Sequence, residues 1–197
     1  MQDNKTNIPP KTKLKEFVES GWDLLKFAIL ALAIVIPIRM WVAQPFVVSG
    51  ESMFPTFDNG QYLIVDEISY ILGNINRGDV VIFRYPNDTK RFFIKRIVGL
   101  PNEIIQIEKN KVTVYPCNDK SKCNSFILNE PYINESFDTT ATYTLGKDEY
   151  FVLGDNRNRS SDSRAWGVLP RKLMIGRAFL RLLPINEISY LPGEYKQ

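Results

Sequence analysis

The chain has 197 residues, 44% of them hydrophobic, enough for one substantial domain with an appendage and for a real core, which excludes an overall disordered chain. Its 25 Lys and Arg against 22 Asp and Glu are interspersed, unlike the concentrated basic face of a nucleic-acid binder. There is no histidine, which excludes a Ser-His-Asp triad, an HExxH zinc site and any other site that needs imidazole.

Residues 1–20, with Pro9-Pro10 and several lysines, read as a loosely structured tail. The following WDLLKFAILALAIVIPIRMW, Trp22 to Trp41, would span about 30 Å as a helix, the thickness of the hydrocarbon core. Its uninterrupted apolar part, Phe27 to Ile38, is shorter. Lys26 and Arg39 would therefore snorkel to opposite interfaces, with the tryptophans in the headgroup belts. A buried core helix and a cleavable secretory signal compete with this reading. Cleavage needs small residues at the first and third positions before the cut, and Trp41, two before Ala43, is too large. The expectation is a retained transmembrane anchor over 21–42. Lys5, Lys11, Lys13, Lys15 and Lys26 then put the N-terminus in the cytoplasm and everything after Arg39 outside, on a single-pass protein of the plasma membrane.

From residue 43 to 197 the pattern changes to short apolar, β-branched and aromatic runs: QYLIVDEI, DVVIFRY, RFFIKRIVG, EIIQIE, KVTVY, EYFVLG and IGRAFLRLL. Breakers such as NRGD, YPND, GLPNE and EKNK separate them. A mainly β, mostly antiparallel domain is expected, with no βαβ rhythm and no repeat. Residues 115–143 are more polar and read as an inserted loop or cap carrying Cys117 and Cys123. Two cysteines without further ligands do not make a zinc site. A short-loop disulfide and two unpaired thiols both remain open.

Three stretches bear chemistry. The first, VVSGESMFPTF, sets Ser52 in a turn between an apolar run and Pro55-Thr56. In the second, RFFIKRIVG, strand alternation puts Phe93, Lys95 and Ile97 on one face and Phe92, Ile94, Arg96 and Val98 on the other. A lysine in water titrates near 10.4, but burial in an apolar site lowers that by up to ~3 to 5 units, making a neutral amine available near pH 7. Lys95 would then take the Ser52 proton, as histidine does elsewhere. Each segment alone also fits an edge-strand lysine with its head in water and an ordinary turn serine. The third stretch, GDNRNRSSDSRAWG, follows a strand-like run and by itself fits a polar loop held by Asp–Arg pairs.

Taken together and in order, the N-terminal apolar segment, SGESMFPT, RGDVVIF, FFIKRIVGLPNE and GDNRNRSSDSR resemble the type I (leader) signal peptidase family over nearly the whole chain. The resemblance implies a single N-terminal transmembrane helix followed by a mostly antiparallel β-sheet catalytic domain. It implies a membrane endopeptidase that removes signal peptides from exported preproteins with a serine/lysine dyad, cutting after small residues of the Ala-x-Ala type. Ser52 matches the family's nucleophile, Lys95 its general base, and Ser160 the serine whose hydroxyl orients the lysine. Asp162 and Arg164 match a pair that braces the loop, with Asp155, Asn156 and Arg157 as structural supports. Gly50 stands where some members carry a serine that helps hold the oxyanion, so the second donor beside the Ser52 N–H is open. Met53 and its surroundings are expected to help form small substrate pockets.

The partners implied are preprotein signal peptides and the lipid bilayer, with the export machinery a further candidate; no nucleic acid, cofactor or metal is expected. Phe46, Phe54 and Phe57 either dip into the membrane interface or pack in the core. A self-cleaving repressor-type Ser/Lys peptidase would need a DNA-binding domain and an internal cleavage site, and neither is visible. The remaining alternative is a membrane-anchored β domain that binds peptides without cleaving them.

Overall fold

The computed structural model describes residues 13–41, 43–68, 70, 73, 75–133 and 135–195, with side chains from 21–35 and from 44 onward. The chain divides into two compact units, Met1–Met40 and Trp41–Gln197.

In the first unit the helix α1 covers Lys13–Trp41. It starts eight residues before the expected anchor, because Lys13, Glu16 and Glu19 are good helix formers and no proline intervenes until Pro37. Trp22, Leu24, Leu25, Phe27, Ile29, Leu30, Leu32, Ile34 and Val35 are all largely exposed along it. Among the described residues, no helix is long and apolar enough to cross a membrane. The span expected over 21–42 is thus observed, as far as Trp41, as a helix with an exposed apolar stretch, which Asp23 and Lys26 on one side and Arg39 on the other keep short. The expected tail, residues 1–20, lies outside the described residues up to residue 12 and is helical from Lys13.

Among its described residues the second unit has twelve strands. They are β1 (Ala43–Val47), β2 (Tyr62–Asp66), β3 (Val80–Tyr85), β4 (Asp88–Gly99), β5 (Ile104–Glu108) and β6 (Lys111–Tyr115). After these come β7 (Phe126–Ile127), β8 (Thr140–Thr144), β9 (Glu149–Leu153), β10 (Leu169–Pro170), β11 (Met174–Leu183) and β12 (Ser189–Tyr190). One sheet runs β1-β2-β11-β3-β4-β9-β10 with β12 beside β11; the other runs β7-β6-β5-β8. Every pairing is antiparallel. The seven runs expected as strands correspond to β2, β3, β4, β5, β6, β9 and β11. In β2 the inward residues Leu63 and Val65 alternate with less buried neighbours, the period-two signal of a half-buried strand.

Strand β1 was hidden in the sequence by its nearness to the apolar helix and by Pro45, a residue tolerated on an edge strand such as this one. The polar 115–143 stretch is not a plain loop: it supplies β7 and most of β8 to the small sheet, which begins at Ile104. Cys117 and Cys123 form a disulfide just beyond β6, with Cα atoms 6.2 Å apart.

Three buried clusters hold the domain. Met53, Phe57, Leu63, Val65, Val80 and Ile82 lie under the Ser52 turn. Val81, Phe83, Ile97 and Val152 fill the middle of the large sheet. Val98, Ile105, Val112, Val114, Phe151 and Leu153 tie the small sheet to β4 and β9. Phe57 is therefore core and not a membrane-facing residue, Phe46 packs edge-on to Phe92, and Phe54 is half exposed.

Candidate active site

Ser52 sits in the turn that leaves β1. The turn is pinned by Met53 and Phe57, which are 1% and 0% exposed, and by the Phe57 N–H donating to Met53 O at 2.9 Å. Met53 thus anchors the turn from below and does not line the cavity described next. Gly50 has φ of +91°, a region that disfavours any side chain, and its N–H donates to Asn59 Oδ1 at 2.9 Å. Space is open beside its Cα, so backbone conformation and not crowding selects glycine there.

Strand β4 brings the lysine to this turn. Its first half is exposed and its second half, Lys95 to Gly99, is buried, because β9 pairs with it only from Arg96 onward. Lys95 is 3% exposed, its Nζ donates to Ser52 Oγ at 2.8 Å and to Ile94 O at 2.8 Å, and it stands 5.1 Å from the Phe93 ring centroid. Burial lowers its titration from 10.5 to about 8, against the upward pull of Asp162 and Asp155. The edge-lysine alternative, with its head in water, does not describe this residue.

The 154–164 loop closes over the pair. Asp162 is fully buried; it caps the one-turn helix Ser163–Trp166, accepts the Gly154 N–H at 3.0 Å and is gripped at both oxygens by Arg164 at 2.8 Å. Asp155 takes both prongs of Arg96, at 2.8 and 2.5 Å, and the Thr56 hydroxyl at 2.5 Å. The Asn156 N–H donates to Ser52 O at 3.1 Å, so this loop directly holds the backbone of the Ser52 turn. Arg157 Nε reaches Gly154 O at 3.1 Å. A Cβ on Gly154 would collide with Ser160 Oγ and with Ser52 O, which explains the glycine at this close approach.

Ser160 is where the sequence expects a hydrogen bond to the lysine. Its Oγ is instead buried without a hydrogen-bond partner among the described residues, packed against Gly154, while Lys95 Nζ engages Ser52 and Ile94.

Ser52 and Lys95 open onto a cavity of about 500 Å³. Phe46, Val48, Leu63, Ile82 and Ile94 give it apolar walls, and Glu51, Arg91 and Arg159 add charge. Strand β1 and residues 88–94 of β4 each have one unpaired edge among the described residues. Sequence reasoning did not single out Thr56, Arg96 or Glu130 as parts of this assembly. Arg96 follows Lys95 directly and Thr56 lies in the Ser52 motif, so both had a local signal, whereas Glu130 is joined to the loop only by folding.

Residues 21–183 match the family model described as signal peptidase, peptidase S26. The chain is 37% identical over 188 residues to "Probable signal peptidase I-2" of Synechocystis sp., covering 89% of this chain and 80% of that protein. It is 35% identical to "Signal peptidase I" of Leptolyngbya laminosa, covering 82% and 79%. To "Signal peptidase I P" of Bacillus subtilis subsp. natto it is 32% identical, covering 85% and 92%.

Proposed function

The chain belongs to the signal peptidase family, peptidase S26, and on that premise we propose that it is a serine endopeptidase that removes N-terminal signal peptides from exported preproteins. The observation that carries the reading is a buried lysine amine, titrating at about 8, 2.8 Å from a serine hydroxyl that opens onto a cavity with apolar walls and a charged margin. In its neutral form Lys95 takes the proton from Ser52 Oγ as that oxygen attacks the scissile carbonyl. The carbonyl π electrons move onto oxygen, where the Ser52 N–H donates to the oxyanion. When the tetrahedral intermediate collapses, the C–N bond breaks and the Lys95 ammonium returns its proton to the leaving amine. Neutral Lys95 then takes a proton from water as it attacks the ester carbonyl, and on collapse the C–Oγ bond breaks and the Lys95 ammonium returns the proton to Ser52 Oγ.

Ser160, whose Oγ has no hydrogen-bond partner among the described residues, is assigned to steady the lysine by turning to its amine during these transfers. Asp155, Asp162 and Arg164 hold the loop in register through the bonds described above. The substrate runs as an extended chain between the free edges of β1 and β4, recognised by main-chain hydrogen bonds, with small side chains admitted to the apolar walls. The exposed apolar stretch of α1 keeps the enzyme at the membrane surface, where preproteins arrive, and the disulfide fits an extracytoplasmic location.

The test is processing of a preprotein with alanines at the first and third positions before its cut, by wild type and by Lys95→Ala, with mass spectrometry locating the cut. Cleavage after the second alanine by wild type, lost by a folded variant, is the expected result. Binding of the preprotein without cleavage by folded wild type would favour the peptide-binding alternative.

A further inference from the structure

Glu130 and Tyr132 lie between β7 and β8, far from the Ser52 motif in sequence, and neither lines the cavity. Folding places them over the loop that holds the proposed dyad. Glu130 accepts both prongs of the Arg157 guanidinium, Nη1 at 3.0 Å and Nη2, with the Arg157 side chain 0% and the Glu130 side chain 8% exposed. Arg157 in turn holds Gly154 O, and its own carbonyl is held by Arg164 Nη2 at 2.6 Å. That fixes the stretch whose Asn156 N–H grips Ser52 O. On the lysine side, Tyr132 donates its hydroxyl to Glu130 Oε1 at 3.0 Å and lays its ring 4.0 Å from the guanidinium of Arg96. Arg96 is the chain neighbour of Lys95 and is clamped to Asp155.

We propose that Glu130 and Tyr132 are positioning residues for the cleavage reaction, a two-point strap that fixes the Ser52 backbone through Arg157 and the Lys95 backbone through Arg96. The inference rests on the reading of Ser52 and Lys95 as nucleophile and base. A merely structural ion pair would lend stability and leave the chemistry of folded molecules unchanged. A strap does more, because small displacements of reacting groups lower rates steeply. Loosening it also admits water to Lys95, which is faced by Asp155 and Asp162 and shares its cavity with Glu51, Arg91 and Arg159. Rehydration restores the ammonium, so the acid limb of the rate profile moves to higher pH.

The experiment follows labelling of Ser52 in the full chain by a small serine-directed acylating probe, which needs no peptide recognition, from pH 6 to 10. Wild type, Glu130→Gln, Tyr132→Phe and Glu108→Gln, an exposed control on β5, are compared per folded molecule, with folding read by circular dichroism. Glu130→Gln is expected to lower the plateau rate at least about tenfold and to shift the limb alkaline. Tyr132→Phe, which keeps the ring on Arg96, is expected to do the same to a smaller degree, and Glu108→Gln to match wild type. Wild-type rates and limb in both folded strap variants, even with a lowered Tm, would overturn the inference. If Glu130→Gln does not fold, Tyr132→Phe alone decides. Wild type that labels at Ser52 yet cuts no preprotein would refute the proposed substrate, while the variant comparison would still decide the strap.

Discussion

A lysine amine 3% exposed and drawn from 10.5 to about 8 weakens the fold at neutral pH, because burial opposes the charge that the unfolded chain carries freely. Between about 8 and 10.5 the unfolded chain binds more protons than the folded one, so stability rises with pH across that window. Below it the penalty is complete, on the order of 3 kcal/mol before the two Nζ hydrogen bonds are set against it. Lys95→Met is therefore expected to abolish cleavage and yet raise Tm at pH 7 by roughly 2–8 °C, with the gain fading by pH 10. Thermal unfolding of both proteins at the two pH values checks this; a variant less stable at pH 7 would contradict it. Wild-type activity is expected to climb with pH around a midpoint of about 8, as the amine becomes neutral, and a flat rate from pH 6 to 9 would count against Lys95 as the base. At this scale Ser52 and Lys95 were legible through the three motifs taken together, since each segment alone also fitted an ordinary turn serine and an edge-strand lysine. The orientation of Ser160 was not, because the packing against Gly154 that sets it depends on how the loop closes.

Between elements, the decisive contact is the one at Gly154, where β9 ends and the 154–164 loop turns back over Ser52. With backbone and Ser160 atoms occupying the place of a Cβ, Gly154→Ala must shift the loop or the Ser52 turn. The expected cost is roughly 1–3 kcal/mol of stability together with loss of most activity, read by unfolding and by Ser52 labelling. A variant as active as wild type would show that the loop does not need its close approach. The edges of β1 and β4 carry a different expectation. Methylating one substrate amide that pairs with an edge should raise KM by about fivefold for each bond lost, while methylation past the paired segment should leave it unchanged. Most strands were readable from their alternation, as Leu63 and Val65 in β2 illustrate. Thr140–Thr144 was not, since its polar, half-exposed residues become a strand only by pairing with β5. Pro45 similarly obscured an edge strand whose pairing with β2 it does not interrupt.

For the whole molecule, the division at Met40 suggests that the β unit holds its own core. Residues 43–197 expressed alone should fold and cleave a soluble peptide at a rate within about threefold of the full chain. They should lose on the order of a hundredfold on preproteins embedded in vesicles, since on the proposed reading the helix supplies effective concentration and not chemistry. Equal activity of both forms on vesicles would remove α1 from the mechanism.

By itself the sequence determined the β character of the domain and the order of its motifs, because alternation and spacing are local properties, while the pairing of Ser52 with Lys95 was implied by the resemblance that those motifs carry together. Only the tertiary structure decided how deeply Lys95 is buried, that Cys117 and Cys123 join, and that Glu130 reaches the loop behind Ser52. Burial and long-range pairing arise from segments far apart in the chain, so no stretch of residues encodes them alone.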